Sequence, residues 1–191
     1  MTRWPMAGEL KKAVFLDRDG VLTVPEFRDG RSYAAQSLET FQFYPDAADA
    51  VIRLKQAGFL LIVVTNQPDV GAGIVERSLI DTMHEHLRAA MPVDDIEVAT
   101  ETRAQAQGLA TDRRKPGTGM LMSAAKRWNI DLESSYMVGD RASDIEAGRA
   151  AGCTSVFIDL GYTHEPAATG QAATVSSVSE AAAWIVADAA K

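Results

Sequence analysis

The sequence predicts an α/β fold, a doubly wound and mostly parallel sheet with helices on both faces. Two observations carry this expectation. Short apolar runs rich in β-branched or aromatic residues recur along the chain, separated by stretches of helical pattern, and that alternation belongs to parallel sheets. The runs are continuously apolar instead of alternating, as expected of strands covered on both faces.

The elements follow in order. The first strand is Ala13 to Leu16. A helix is expected from Pro45 to Ala57, where the proline suits the first turn and Gly58 suits the left-handed position that ends a helix. The second strand, Phe59 to Val64, begins at once. A helix over Glu76 to Ala90 leads to a strand at Ile96 to Ala99, and a helix over Gly117 to Trp128 leads to one at Tyr136 to Val138. A helix over Ser143 to Ala151 is closed by Gly152, a strand spans Thr154 to Ile158, and a last helix runs from Ser177 to Ala190. Two long connections remain, Arg18 to Tyr44 and Thr100 to Pro116, and connections of that length tend to carry function.

At 191 residues and 47% hydrophobic content the chain reads as one domain, residues 1–191, with no repeat or linker to divide it. A formal charge of −7 argues against a general nucleic-acid surface, so an anionic substrate has to be met by a local basic cluster. Cys153 is the only cysteine, which excludes an intramolecular disulfide and a Cys-rich zinc site and fits a reducing compartment. Met1 to Lys12 carries Arg3 and Trp4 but no apolar leader, and a run such as Phe59 to Val64 is far below membrane-spanning length. A cytoplasmic protein without membrane partners is expected.

Chemistry concentrates at the strand exits. The first strand runs into Asp17-Arg18-Asp19-Gly20, and alternate side chains of an extended segment point the same way, at a rise of about 3.3 Å per residue. One carboxylate can then attack while its neighbour handles a proton. Asp-x-Asp-Gly also occurs as a plain turn, but a calcium loop opening at Asp17 is excluded by Leu22 and Arg28, where glycine and glutamate are required. The second strand ends in Thr65-Asn66-Gln67, which offers a hydroxyl and amides to phosphate oxygens or forms an ordinary turn. Gly71-Ala72-Gly73 is no dinucleotide fingerprint, because Glu76 stands where the third glycine belongs. Arg113-Arg114-Lys115-Pro116 is a basic cluster ahead of a helix N-terminus, an arrangement that favours anions. Gly139-Asp140-Arg141-Ala142-Ser143-Asp144 places two more carboxylates at a strand exit, and in open α/β sheets ligands bind beyond such exits.

Taken in order, Asp17-x-Asp19-Gly20, Thr65-Asn66, Lys115 and Gly139-Asp140-x-x-x-Asp144 resemble the four motifs of the haloacid dehalogenase-like (HAD) superfamily across residues 13 to 158. More narrowly, Arg114-Lys115-Pro116 and Val138-Gly139-Asp140-Arg141 resemble the branch that holds D-glycero-D-manno-heptose 1,7-bisphosphate and histidinol-phosphate phosphatases. The resemblance implies a Rossmann-like phosphatase without a large cap, and the stretches after Asp19 and Thr65 leave no room for one. It implies Asp17 as nucleophile and Asp19 as general acid and base. It also implies phosphate or substrate binding by Thr65, Asn66, Arg114 and Lys115, and Mg²⁺ held by Asp17, the Asp19 carbonyl and Asp140, with Asp144 in support. Branch members commonly carry a zinc loop of three Cys and a His. Val98 to Arg113 holds neither residue type, so no structural zinc is expected. An arginine usual in the branch is replaced here by Ala72.

The expected substrate is a small phosphorylated metabolite, a sugar phosphate such as heptose 1,7-bisphosphate, acted on by a monomer. Arg113 and Arg114 are candidates for gripping a second phosphate, Arg114 being favoured by the motif. Histidinol phosphate is the alternative substrate, and a phospho-acceptor or binding module is the alternative class. His84, His86 and His164 lack the spacing of a helical zinc site and read as surface or packing residues. Trp128, Trp184 and Cys153 read as core. Glu26, Phe27, Arg31 and Tyr33 belong to a connection that forms either a flap or a surface loop, and Arg141 either touches substrate or balances nearby carboxylates.

Overall fold

The computed structural model describes residues 10–162, 164 and 166–191. The expectations placed on Arg3 and Trp4 lie outside these residues. In chain order the elements are β1 (Ala13–Leu16), β2 (Glu26–Arg28), β3 (Arg31–Tyr33), α1 (Ala47–Gln56), β4 (Leu60–Asn66), α2 (Pro68–Gly71) and α3 (Arg77–Ala90). They continue as β5 (Asp95–Ala99), α4 (Gly119–Trp128), β6 (Tyr136–Gly139), α5 (Ala142–Ala151), β7 (Thr154–Ile158), β8 (Ala173–Val175) and α6 (Val178–Asp188).

Six strands form one sheet in the order β5-β4-β1-β6-β7-β8, and every pairing in it is parallel. β1 is central and all four of its residues are buried. Successive side chains of a strand face opposite ways, and β1 divides accordingly. Val14 and Leu16 join Leu54 of α1, Ile185 of α6, Leu61 and Val138 in one core. Ala13 and Phe15 join Met120 and Leu121 of α4, Ala147 near the middle of α5, and Ile62 in the other. Helices therefore cover both faces, which is why the strands read as unbroken apolar runs. Gly58 at φ 89° and Gly152 at φ 95° end α1 and α5 in the left-handed region that favours glycine, and each releases the chain into the next strand.

Four elements have no counterpart among the strands and helices expected from the sequence. β2 and β3 form an antiparallel hairpin inside the long first connection, and β8 adds a three-residue edge strand beside β7. α2 is a single turn after β4. Each is too short for a periodicity to declare itself. The rest of the first connection packs Ala35 and Phe41 against Ile80 and Met83 of α3 in a satellite core. With only the hairpin after β1 and α2 after β4, neither connection builds a cap domain. Among the described residues no helix is long and apolar enough to cross a membrane.

Candidate active site

The chain winds from β1 to β4 and β5 on one side, then crosses back to β6, β7 and β8 on the other. The exits of β1, β4 and β6 diverge at this reversal, and a crevice at such a point is where a doubly wound sheet accepts ligands. Asp17 stands at the exit of β1, anchored by its N–H donating to the Val138 carbonyl at 2.9 Å.

The predicted residues of four separate segments meet there. Lys115 is buried, and its ammonium lies 2.8 Å from Asp17 Oδ1 and 2.7 Å from Asp144 Oδ1 while donating to the Val64 carbonyl at 2.8 Å. Asp144 Oδ2 accepts from the Arg141 N–H at 3.0 Å, closing the N-terminus of α5. Asp140 is buried at the same exit. Its Oδ2 accepts a hydrogen bond from the Tyr162 hydroxyl, and its Oδ1 has no hydrogen-bond partner among the described residues. Glycines permit this crowding. A Cβ on Gly20, which sits at φ 94°, would lie 2.0 Å from Asp140 Oδ2, and one on Gly139 would lie 2.2 Å from the Asp144 Cβ.

One ammonium among Asp17, Asp140 and Asp144 leaves an excess of buried negative charge, and the titration of Asp17, Asp140 and Lys115 records it. Burial acts most strongly on Asp17 and Lys115 opposes it, but with Asp144 and Asp19 adding to burial the carboxyl is pushed up to about 6. Burial, then Asp17 and Asp144, push Asp140 well above the ordinary carboxylate range. Burial disfavours the Lys115 charge, yet Asp144 and Asp17 outweigh it and raise its pKa. Oxygens of Asp17, Asp140 and Asp144 lie within 4.8 Å of one another, close enough to hold one cation. The orphaned Asp140 Oδ1 fits a hard divalent ion such as Mg²⁺, which takes oxygen ligands. Asp144 is already committed to Lys115 and the Arg141 N–H, so it orients the group from behind.

Asp19 is held in a hydrogen-bond network of its own beside this cluster. It accepts from Arg18 Nε and Nη2 at 3.1 Å, from Gln67 Nε2 at 2.8 Å and from the Thr23 hydroxyl at 3.1 Å. Thr65 is buried beside it and accepts from the same Gln67 amide at 2.8 Å, which leaves the Thr65 hydroxyl hydrogen for another acceptor. Asn66 engages the backbone of Lys115 at both ends of its amide, donating to the carbonyl at 3.1 Å and accepting from the N–H at 3.0 Å. Its side chain thus fixes the lysine segment. Arg114 is half-buried and donates to the Glu101 carbonyl at 3.1 Å; burial, then the charges of Arg103 and Arg141, lower its pKa. Arg113, by contrast, is paired with the buried Glu97 at 2.6 Å and also donates to the Val98 carbonyl, so it braces β5.

The hairpin folds over the site. Arg141 Nη2 donates to the Ser32 carbonyl at 2.6 Å and to its hydroxyl at 2.5 Å, and Phe27 packs on Tyr162 with ring centroids 5.0 Å apart. Beyond Tyr162 and Asp140 lies a cavity of about 350 Å³ walled by Phe157, Leu160 and Thr174 among others, a volume suited to a small ligand. The sequence reading singled out neither Tyr162 nor Ser32 nor the link from Gln67 to Asp19. Gln67 stands inside the Thr-Asn-Gln triplet, where the amide was visible but its target was not. Tyr162 lies in a loop with no pattern to mark it.

A buried aspartate at a strand exit, beside a lysine and two further aspartates that can hold a cation, is an arrangement suited to hydrolysis through a carboxylate. The chain belongs to the haloacid dehalogenase-like hydrolase family, whose profile matches residues 19–149, and a HAD-hydrolase-like profile matches residues 112–189. Within that family it is a phosphoric monoester hydrolase. It is 32% identical over 150 residues to the D-glycero-beta-D-manno-heptose-1,7-bisphosphate 7-phosphatase of Rhodopseudomonas palustris, covering 74% of this chain and 80% of that one. The enzyme of the same name from Escherichia coli (strain K12) is 32% identical over 169 residues, covering 84% and 85%. Among solved structures, the D,D-heptose 1,7-bisphosphate phosphatase of B. bronchiseptica, complexed with magnesium and phosphate, superposes with a TM-score of 0.75 at 25% identity, covering 93% of this chain and 99% of that one.

Proposed function

We propose that this chain is a Mg²⁺-dependent phosphatase of a small phosphorylated sugar, with heptose 1,7-bisphosphate as the leading substrate, working as a single-domain cytoplasmic monomer through a phosphoryl group carried on Asp17. The observation that carries this reading is the ammonium of Lys115 between Asp17 and Asp144, 2.8 and 2.7 Å away, at the exit of the central strand.

A phosphate monoester and a carboxylate repel each other, so attack needs positive charge between them. Asp17, Asp140 and the Asp19 carbonyl would hold Mg²⁺, which when bound neutralises phosphate and nucleophile together. Lys115 and the Thr65 hydroxyl hold the phosphate oxygens, and Asn66 keeps Lys115 in place through its backbone. Asp17 Oδ attacks phosphorus while the bond to the leaving oxygen breaks, and Asp19 gives that oxygen its proton. Asp19, now anionic, takes a proton from water as the water attacks phosphorus, which releases phosphate and restores both aspartates. Each positioned proton transfer is worth about 10² to 10⁴-fold.

Burial, then the nearby charges of Arg103 and Arg141, lower the Arg114 pKa, and these three cations together favour a second anionic substituent over an amine. This ranks a sugar bisphosphate above histidinol phosphate. The relatives named above are heptose bisphosphate 7-phosphatases, which supports the same ranking. The test is phosphate release from a panel containing heptose 1,7-bisphosphate, its monophosphates and histidinol phosphate, with Mg²⁺ or with chelator. Preferred turnover of the bisphosphate, lost on chelation, is expected. Preferred turnover of histidinol phosphate overturns the substrate, and unchanged rates in chelator overturn the metal requirement.

A further inference from the structure

Arg18 lies between the two aspartates of the first motif, yet it is 0% exposed. A buried guanidinium is costly unless its donors are engaged. Two of its nitrogens hold the two oxygens of Asp19, each at 3.1 Å. The third, Nη1, lies 3.2 Å from Nε2 of His84, which α3 contributes from 66 residues further along the chain. The ring of Phe41 covers the guanidinium, 5.3 Å from its centroid. Arginine only donates, so His84 Nε2 accepts and its imidazole is neutral with the proton on Nδ1. The surroundings agree, since burial and then the Arg18 charge hold the His84 pKa down to about 4.

We propose that His84 is a positioning residue that acts through Arg18, fixing the guanidinium so that it presents the Asp19 carboxyl in the orientation its proton transfers require. Without an acceptor at His84, one buried donor of Arg18 is left unmade, and the guanidinium relaxes towards another partner or admits water. Asp19 then loses the two bonds on its Arg18 side and keeps those from Gln67 and Thr23. From the sequence His84 reads as a surface or packing residue, because its partner Arg18 lies 66 residues away and meets it only in the folded chain.

This inference rests on Asp19 being the general acid and base, and its test separates the two ideas. kcat/KM is measured with Mg²⁺ on the full chain for an alkyl ester, glycerol 2-phosphate, and for p-nitrophenyl phosphate. The parameter covers steps through phosphoryl transfer to the enzyme; the alkoxide needs a proton in that step and the nitrophenolate does not. A fraction of misfolded enzyme cancels in the ratio of the two. His84→Leu is expected to lower the alkyl-to-aryl ratio roughly 10-fold, and His84→Gln, whose Oε1 can accept in place of Nε2, to restore most of it. An unchanged ratio in His84→Leu, or a His84→Gln as impaired as His84→Leu, overturns the proposal. Asp19→Asn serves as the reference, and an alkyl-to-aryl ratio left intact by that variant overturns the acid and base assignment itself.

Discussion

Asp17 carries a physical tension that can be measured. In chelated protein its folded pKa of about 6 stands above the ordinary value of 3.8. A group raised in this way contributes stability fully below its unfolded pKa and loses it as pH rises through the folded one. The contribution of Asp17 therefore fades between about pH 4 and pH 6, as an anion forms beside Asp144 and Asp19. A divalent ion reverses the effect because it binds the deprotonated carboxylate. Mg²⁺ at 100 times its Kd at about pH 7.5 should thus stabilise the protein there by roughly 2.7 kcal/mol, and the same concentration should raise the melting temperature less at about pH 5. His84, held down to about 4, acts in the opposite sense, since its contribution is present above its ordinary 6.5 and lost as pH falls towards 4. It cancels when each pH is compared with and without Mg²⁺. Scanning calorimetry at the two pH values checks this, and an equal gain at both contradicts it.

The β2–β3 hairpin is the element that most changes the picture of the site. It is tied to the catalytic face at two points, by Arg141 on Ser32 and by Phe27 on Tyr162. Arg141→Met removes the polar tie and one of the cations near Arg114. It should raise KM for a sugar bisphosphate about 10-fold while kcat changes far less, because the groups that move protons and phosphate are untouched. Steady-state kinetics decide it, and a loss confined to kcat contradicts a role in substrate binding for Arg141 and the hairpin it ties down. The major strands and helices were legible in the sequence because each buries a continuous or periodic apolar face, as Phe15 and Leu16 do on opposite sides of β1. The hairpin was not, since its six strand residues pair with each other over the site and not with the sheet. Glu26, Phe27, Arg31 and Tyr33 signalled a connection that forms either a flap or a surface loop, but not its strands. The reach of Arg113 was equally hidden, as nothing local says that its partner is Glu97 on β5.

At the scale of the whole molecule, the order β5-β4-β1-β6-β7-β8 places three strand exits side by side and lets residues as distant as Asp17, Lys115 and Asp144 share one buried charge network. The aspartates and the lysine were legible in the sequence because their types and spacing carry chemistry; the side chains that aim them, Gln67, Tyr162 and His84, emerge only from packing. In the proposed mechanism this network serves one step, the transfer of the phosphoryl group to Asp17. The direct measurement is acid quenching within the first turnovers on an ester labelled in its phosphate, followed by peptide mapping. Label bound to the peptide containing Asp17, and absent from Asp17→Asn together with turnover, is the predicted result. Label on another residue, or full turnover by Asp17→Asn, would contradict the account.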